Sequence, residues 1–167
     1  MFSTFTAKFS YGHAAAGPSL AAFQLQNGSG GANPATMAAQ GYTYNQSSNI
    51  DDGYFAVNLG FTFYLYGSSG STLYVGSNSY ITLLNGARDY LSLSLGPNAV
   101  PNGGPDGSPR PTIHLRSGDH SFQRGWSKVY SDKVIIRYEG TTGTSGIAGV
   151  PNLVYEATFY KSNGSYQ

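Results

Sequence analysis

Residues 57–65 alternate strictly between apolar side chains and polar or small ones, and this pattern constrains the fold more than any other part of the sequence. Every second position is apolar, as in Val57, Leu59, Phe61, Phe63 and Leu65. A period of two held over this length is typical of a strand with one buried and one exposed face. The same alternation returns over residues 153–160. The chain is therefore predicted to be built from antiparallel sheet.

Further strand candidates follow one another along the chain, with turn residues between them. The predicted strands are 2–11, 20–25, 41–45, 54–66, 72–75, 80–84, 112–115, 126–130, 133–139 and 151–160. Ser131 and Asp132 form a candidate two-residue hairpin turn. Helical periodicity is weak, and segment 35–40 is expected to form at most a turn or two of helix because Pro34 limits it.

Many short strands without long helices predict an all-β fold, an antiparallel β-sandwich of jelly-roll type with long Gly/Pro-rich loops. A barrel is the alternative. The loops are expected over residues 85–111 and 141–150. Residues 51–167 are predicted to form the sandwich core. Residues 1–50 are predicted to be an N-terminal strand arm and loop, either part of the same sandwich or an arm used in assembly.

Composition limits the classes of partner. Charged residues make up 10% of the 167 residues, against about 25% in an average domain. The net charge is +1, the basic residues form no run, and there is no cysteine. We therefore expect no nucleic-acid partner, no disulfide and no Cys-ligated zinc. No apolar stretch approaches the ~18 residues that span a bilayer, so no membrane insertion is expected.

Several short patterns contain residue types used in catalysis or metal binding, but none has the required spacing. The run 119–121 is Asp–His–Ser, yet a hydrolase triad assembles from separate parts of a fold. The three histidines, at positions 13, 114 and 120, have no tight ligand spacing. Asp51 and Asp52 are interpreted as a turn before a strand, because calcium loops carry more carboxylates. We predict no catalytic residue, no cofactor and no metal site, and hence no enzyme.

One group of side chains is a candidate surface contact. Arg124 and Trp126 combine a cation with the only tryptophan, and His120 lies nearby in the sequence. If exposed, such a group could stack on a sugar ring or anchor a protein contact. If buried, Trp126 belongs to the core, which is the interpretation that the sequence favours.

Two sequence blocks resemble a known module. The first is DDGYFAVNLGFTF at 51–63 followed by LYVGSNSYIT at 73–82, and the second is SGDHSFQR at 117–124 followed by RYEG at 137–140 and PNLVYEATFY at 151–160. Together they resemble β-sandwich modules in virion structural proteins of marine tailed bacteriophages, of the cyanophage type. The resemblance implies a non-enzymatic particle component, such as a tail appendage, a fibre module or a capsid decoration. It carries over no functional residue.

The resemblance also suggests a mode of assembly. Similar modules continue past the last hairpin with a further strand, whereas this sequence ends at Gln167. A neighbouring subunit could fill such a gap by strand addition. The candidate assembly strand carries Phe2, Phe5 and Phe9, and its exchange between subunits would give head-to-tail rings or filaments.

The expected function is that of a structural subunit that self-assembles in a virion or another extracellular structure. Its expected partners are copies of itself and other particle proteins, with a surface glycan as a further possibility. Two alternatives stay open, a subunit of a secreted pilus-like filament and a glycan-binding adhesion module.

Overall fold

The computed structural model describes residues 2–8, 20–26, 32–46, 51–65, 68–86, 102–103, 108–109, 112–115, 119–142 and 153–161. Within these ranges the chain forms strands and one short helix. In chain order they are β1 (Phe2–Lys8), β2 (Leu20–Gln26), α1 (Pro34–Ala39), β3 (Thr43–Gln46), β4 (Tyr54–Leu65), β5 (Ser68–Gly76), β6 (Tyr80–Leu83), β7 (Asn102–Gly103), β8 (Ser108–Pro109), β9 (Thr112–His114), β10 (His120–Val129), β11 (Lys133–Thr142) and β12 (Leu153–Tyr160).

The strands form two main antiparallel sheets. A six-stranded sheet has the order β1-β2-β12-β11-β10-β3, and a four-stranded sheet has the order β4-β5-β6-β9. Strands β7 and β8 pair with each other. The predicted all-β sandwich is confirmed. Strands β1, β2 and β3 belong to the six-stranded sheet, so the described strands of residues 1–50 are part of the sandwich.

The alternating residues of β4 line the space between the two sheets. Its apolar side chains are buried and the residues between them are mostly exposed. The Phe63 ring meets the Phe159 ring of β12 edge to face, with centroids 5.4 Å apart. The Phe55 ring meets the Phe122 ring of β10 in the same way, at 5.6 Å. The apolar faces of both sheets therefore form one core.

The inward-facing and outward-facing positions of β10 are exchanged at a bulge near its start. Its pairing with β11 shifts between Phe122 and Arg124, which is the signature of a β-bulge. Phe122 faces the core before the bulge, and Gly125 faces it afterwards, where a Cβ would overlap the ring of Phe55. The bulge therefore places Arg124 and Trp126 on the outer face of the six-stranded sheet. The bulge also interrupts the alternation of apolar and polar residues, so the pattern does not indicate the start of β10.

Helix α1 begins at Pro34, which starts the helix instead of limiting it. Proline is well suited to the first helical position, since its missing N–H would have no intrahelical partner there. Asn33 caps the helix, because its Oδ1 accepts from the backbone N–H of Ala35 at 2.9 Å and of Thr36 at 3.3 Å. The predicted turn or two of helix at 35–40 is thus present.

Two tyrosines stack inside the core and differ in hydrogen bonding. The rings of Tyr138 and Tyr155 lie 4.7 Å apart and 5° from parallel. The Tyr138 hydroxyl donates to the Ser77 carbonyl at 2.5 Å. The Tyr155 hydroxyl has no hydrogen-bond partner among the described residues. Burial raises the pKa of both hydroxyls well above the ordinary value of 10.0.

Replacing Tyr155 with phenylalanine is expected to leave the free energy of unfolding unchanged or to raise it by about 1 kcal/mol, because it removes a buried hydroxyl without an acceptor. Tyr138→Phe should cost about 1 kcal/mol, since it leaves the Ser77 carbonyl without its donor. Urea unfolding at neutral pH measures both. Equal destabilisation by the two replacements would contradict this difference in hydrogen bonding between Tyr138 and Tyr155.

The same tyrosines make the fold sensitive to alkaline pH. Their pKa values are higher in the folded state than the ordinary value of 10.0. Above pH about 10 the unfolded chain therefore loses these protons first, and the free energy of unfolding falls as the pH rises further. Each adds a decline of up to about 1.4 kcal/mol per pH unit above that point. In the same urea series at about pH 8 to pH 11, either phenylalanine variant should therefore show a shallower decline than the parent chain.

Candidate functional site

Three carboxylates from distant parts of the sequence meet at one end of the sandwich. Asp51 and Asp52 lie in the turn before β4, and Asp119 directly precedes β10. One carboxylate oxygen from each residue lies within 4.8 Å of the other two. Asp51 is exposed and the other two are half-buried. We call this group the carboxylate cluster.

The turn after β5 holds the carboxylate cluster in place. The Ser77 N–H donates to the Gly53 carbonyl at 2.8 Å, and the Gly53 N–H donates to Ser77 Oγ at 3.1 Å. Asn78 Nδ2 donates to Asp52 Oδ1 at 3.1 Å, while Asn78 Oδ1 accepts from the His120 N–H at 2.7 Å. Asn78 therefore ties the turn before β4 to the start of β10.

The carboxylate cluster has oxygen ligands of the kind that Ca²⁺ binds. The predicted turn before β4 is confirmed, since Asp52 has a φ of 42° and β4 begins two residues later. Asp119 joins it through tertiary structure that sequence spacing does not reveal. Two of the carboxylates already accept protein donors, because Ser121 Oγ donates to Asp51 Oδ1 at 3.4 Å and Asn78 donates to Asp52. The cluster alone therefore assigns no metal.

The Asp–His–Ser run at the start of β10 is arranged unlike a hydrolase triad. The Ser121 hydroxyl donates to Asp51, and Ser121 is fully buried. His120 is buried as well. The Ser121 hydroxyl is therefore closed off from solvent, and its hydrogen bond goes to Asp51 and not to a histidine. His13 and the side chain of His114 lie outside the described residues.

Residues 32–42, which we call the strap, lie over the outer face of the six-stranded sheet and lead into its edge strand β3. At one end the Ala32 N–H donates to Glu139 Oε1 at 2.9 Å. At the other end the Tyr42 hydroxyl donates to Glu156 Oε1 at 3.2 Å. Burial, followed by the nearby Glu156 carboxylate, raises the pKa of Tyr42 to about 12. The Met37 side chain of α1 is buried. The strap is therefore anchored to strands β11 and β12.

Beneath the strap, Glu139 lies between two arginines. Arg137 Nε donates to Glu139 Oε1 at 2.8 Å. Arg124 Nε lies 3.0 Å from Glu139 Oε2, which is an ion-pair contact and not an aligned hydrogen bond. The Glu139 side chain is fully buried, and Arg137 also contacts Glu156 at 3.3 Å. Glu139, at the centre of this network, therefore has no solvent access for a ligand.

The predicted surface contact is mostly enclosed. Trp126 is 1% exposed, and the ring of Tyr44, its cross-strand partner on β3, stacks on it at 4.1 Å and 16°. His120 is buried, and Arg124 is committed to Glu139. Trp126 and His120 therefore present no face to a sugar, and Trp126 is a buried side chain, as the sequence favours.

The predicted assembly strand lies at the edge of the six-stranded sheet. Phe2 and Phe5 belong to β1, which pairs with β2 of the same chain from Phe2↔Gln26 to Lys8↔Leu20. Phe9 lies outside the described residues. Among the strands that the structure describes, none pairs with the other edge of β1.

Comparison of the chain with protein-family models, with curated proteins and with solved structures found no match. Among the residues that the structure describes, no helix is both long and apolar enough to cross a membrane.

Proposed function

We propose that this chain is a non-catalytic structural subunit of an ordered extracellular assembly. The assembly we favour is a bacteriophage particle, in which the chain serves as a tail appendage, fibre or capsid decoration. Its subunits are joined by β-strand contacts. The observation that carries this proposal is that β1 is a long and regular edge strand.

The four strands at the sheet edges of the described structure differ in how well they could pair with another chain. Strand β1 keeps one register with β2 over its 7 residues. Strand β3 has 4 residues and a register shift against β10, and β9 has 3 residues. Strand β4 is longer, but its pairing is interrupted between Asn58 and Phe63. Short edges and bulges oppose strand addition, so β1 is the best template.

The charge distribution supports the same contact. Natural edge strands are often protected from pairing by charged residues. The one charged residue of β1 is Lys8, at the end of the strand. A mostly neutral surface loses little hydration energy when two subunits meet. The resemblance of residues 51–160 to phage sandwich modules supports a phage particle as the setting, and β1 precedes that region in the sequence.

Charges placed on β1 should prevent assembly. We expect the parent chain to form particles larger than a monomer and the variant Thr4→Lys with Thr6→Lys to stay monomeric, because charged residues on an edge strand oppose its pairing with another strand. The matched control is Ala56→Lys with Thr62→Lys, two exposed positions on β4. Light scattering and electron microscopy of the purified proteins measure the outcome.

A second variant, deletion of residues 1–11, tests the same contact without adding charge. Its particles should also be lost. A parent chain that stays monomeric at high concentration, or β1 variants that assemble like the parent, would reject the proposal. Assembly lost equally in the β4 control would point to charge in general and would also count against β1.

A further inference from the structure

We infer that the outer face of the six-stranded sheet carries a binding site for an acidic saccharide at its β10–β11 hairpin end. The site consists of Tyr42, Lys128, Tyr130, Lys133 and Tyr160, which we call the Tyr130 patch. It shares no residue with the predicted surface contact, and it adds a ligand to the proposed structural role.

Aromatic rings and ammonium groups alternate along the Tyr130 patch. Lys128 Nζ lies 5.8 Å from the ring centroid of Tyr42 and 5.2 Å from that of Tyr130. Lys133 Nζ lies 5.2 Å from the centroid of Tyr130 and 6.0 Å from that of Tyr160. Two ammonium groups thus lie within the range of a cation–π contact with the Tyr130 ring.

The fold holds this row in position before any ligand binds. The hairpin closes with the Tyr130 N–H donating to the Lys133 carbonyl at 2.8 Å. Lys133 lies opposite Tyr160 in the β11–β12 pairing. Lys128 Nζ donates to the Gln40 carbonyl of the strap at 2.6 Å. A preorganised row of this kind loses less conformational entropy on binding.

The Tyr130 patch concentrates positive charge on a chain that has little. Lys128 and Lys133 belong to the patch, and Lys161 lies beside it, since its N–H donates to the Asp132 carbonyl of the hairpin loop at 2.8 Å. These are three of the four lysines in the sequence. Within the described residues, Lys128 and Lys133 form no ion pair with a carboxylate. Their charges are therefore complementary to an anionic ligand.

The chemistry of the row favours a saccharide among anionic ligands. Tyr130 is 38% exposed, and an exposed tyrosine offers both an apolar ring and a hydroxyl. A nucleic acid needs a longer track of cations, but Arg124 and Arg137 on the same face are paired with Glu139. A protein partner would need an apolar centre, and here cations separate the rings. Uronic-acid polymers offer carboxylates and sugar rings in alternation.

A short oligogalacturonate is the probe for this inference. Calorimetric titration should show binding that weakens as salt concentration rises. The same oligomer with its carboxyl groups reduced to alcohols should bind much more weakly. An oligothymidylate of similar charge tests the nucleic-acid alternative, and equal or tighter binding of it would overturn the saccharide assignment.

Variants locate the site. Lys128→Gln with Lys133→Gln is expected to weaken oligogalacturonate binding about tenfold, as the loss of two exposed charge pairs implies. Tyr130→Ala should weaken it as well, whereas Tyr64→Ala, at a tyrosine of equal exposure on the other sheet, should not. No binding by the parent chain, or the same loss at Tyr64, would overturn the inference. Particle size should not change in any of these variants, which separates this test from that of assembly.

Discussion

Replacing Glu139 with alanine is expected to lower the free energy of unfolding by about 3–5 kcal/mol, because removal of one partner leaves buried charges without compensation. The carboxylate is fully buried and lies 2.8 Å from Arg137 Nε and 3.0 Å from Arg124 Nε. It also accepts from the Ala32 N–H of the strap. Its loss should therefore loosen the strap as well as the sheet. Urea unfolding at neutral pH measures the change.

Glu156 provides the matched control for this replacement. Its side chain is 29% exposed and contacts Arg137 at 3.3 Å, so Glu156→Ala should cost only about 1 kcal/mol. Glu139→Gln should fall between the two, since it keeps an acceptor for the Ala32 N–H and loses the charge. If Glu139→Ala costs no more than Glu156→Ala, the buried ion-pair network around Glu139 is not a main source of stability.

Replacing Phe63 with alanine is also expected to cost about 3–5 kcal/mol, because it leaves a cavity between the two sheets. The Phe63 ring has no solvent exposure and meets Phe159 of the facing sheet. The adjacent Thr62 points to solvent, and Thr62→Ala should change stability by less than about 0.5 kcal/mol. Similar costs at the two neighbours would contradict the inward and outward alternation of β4.

The local sequence pattern was sufficient to predict where most strands lie. It was insufficient where contacts with other parts of the chain determine the bounds of a strand. The alternation at 57–65 predicted both β4 and its buried face, which the structure confirms. Strand β5 begins at Ser68, before the predicted residue 72, because pairing with β4 imposes strand geometry on residues of low β-propensity. The bulge before Arg124 breaks the alternation that would have revealed the start of β10.

The candidate sites depended even more on tertiary structure. Alternation along β11 places Glu139 on the face away from the core, where a charged residue is ordinarily solvated. Its burial depends on the strap, which lies about one hundred residues earlier in the sequence and carries no local signal of where it packs. The carboxylate cluster and the Tyr130 patch likewise join residues that lie far apart in the sequence.

The most direct test of the proposed strand contact is amide hydrogen exchange of β1 as a function of protein concentration. Backbone N–H groups that pair with a second subunit exchange more slowly. We predict that protection of the amides in Phe2–Lys8 rises as particles form and that the β1 double-lysine variant shows no such rise. Assembly without any added protection in β1 would contradict the account.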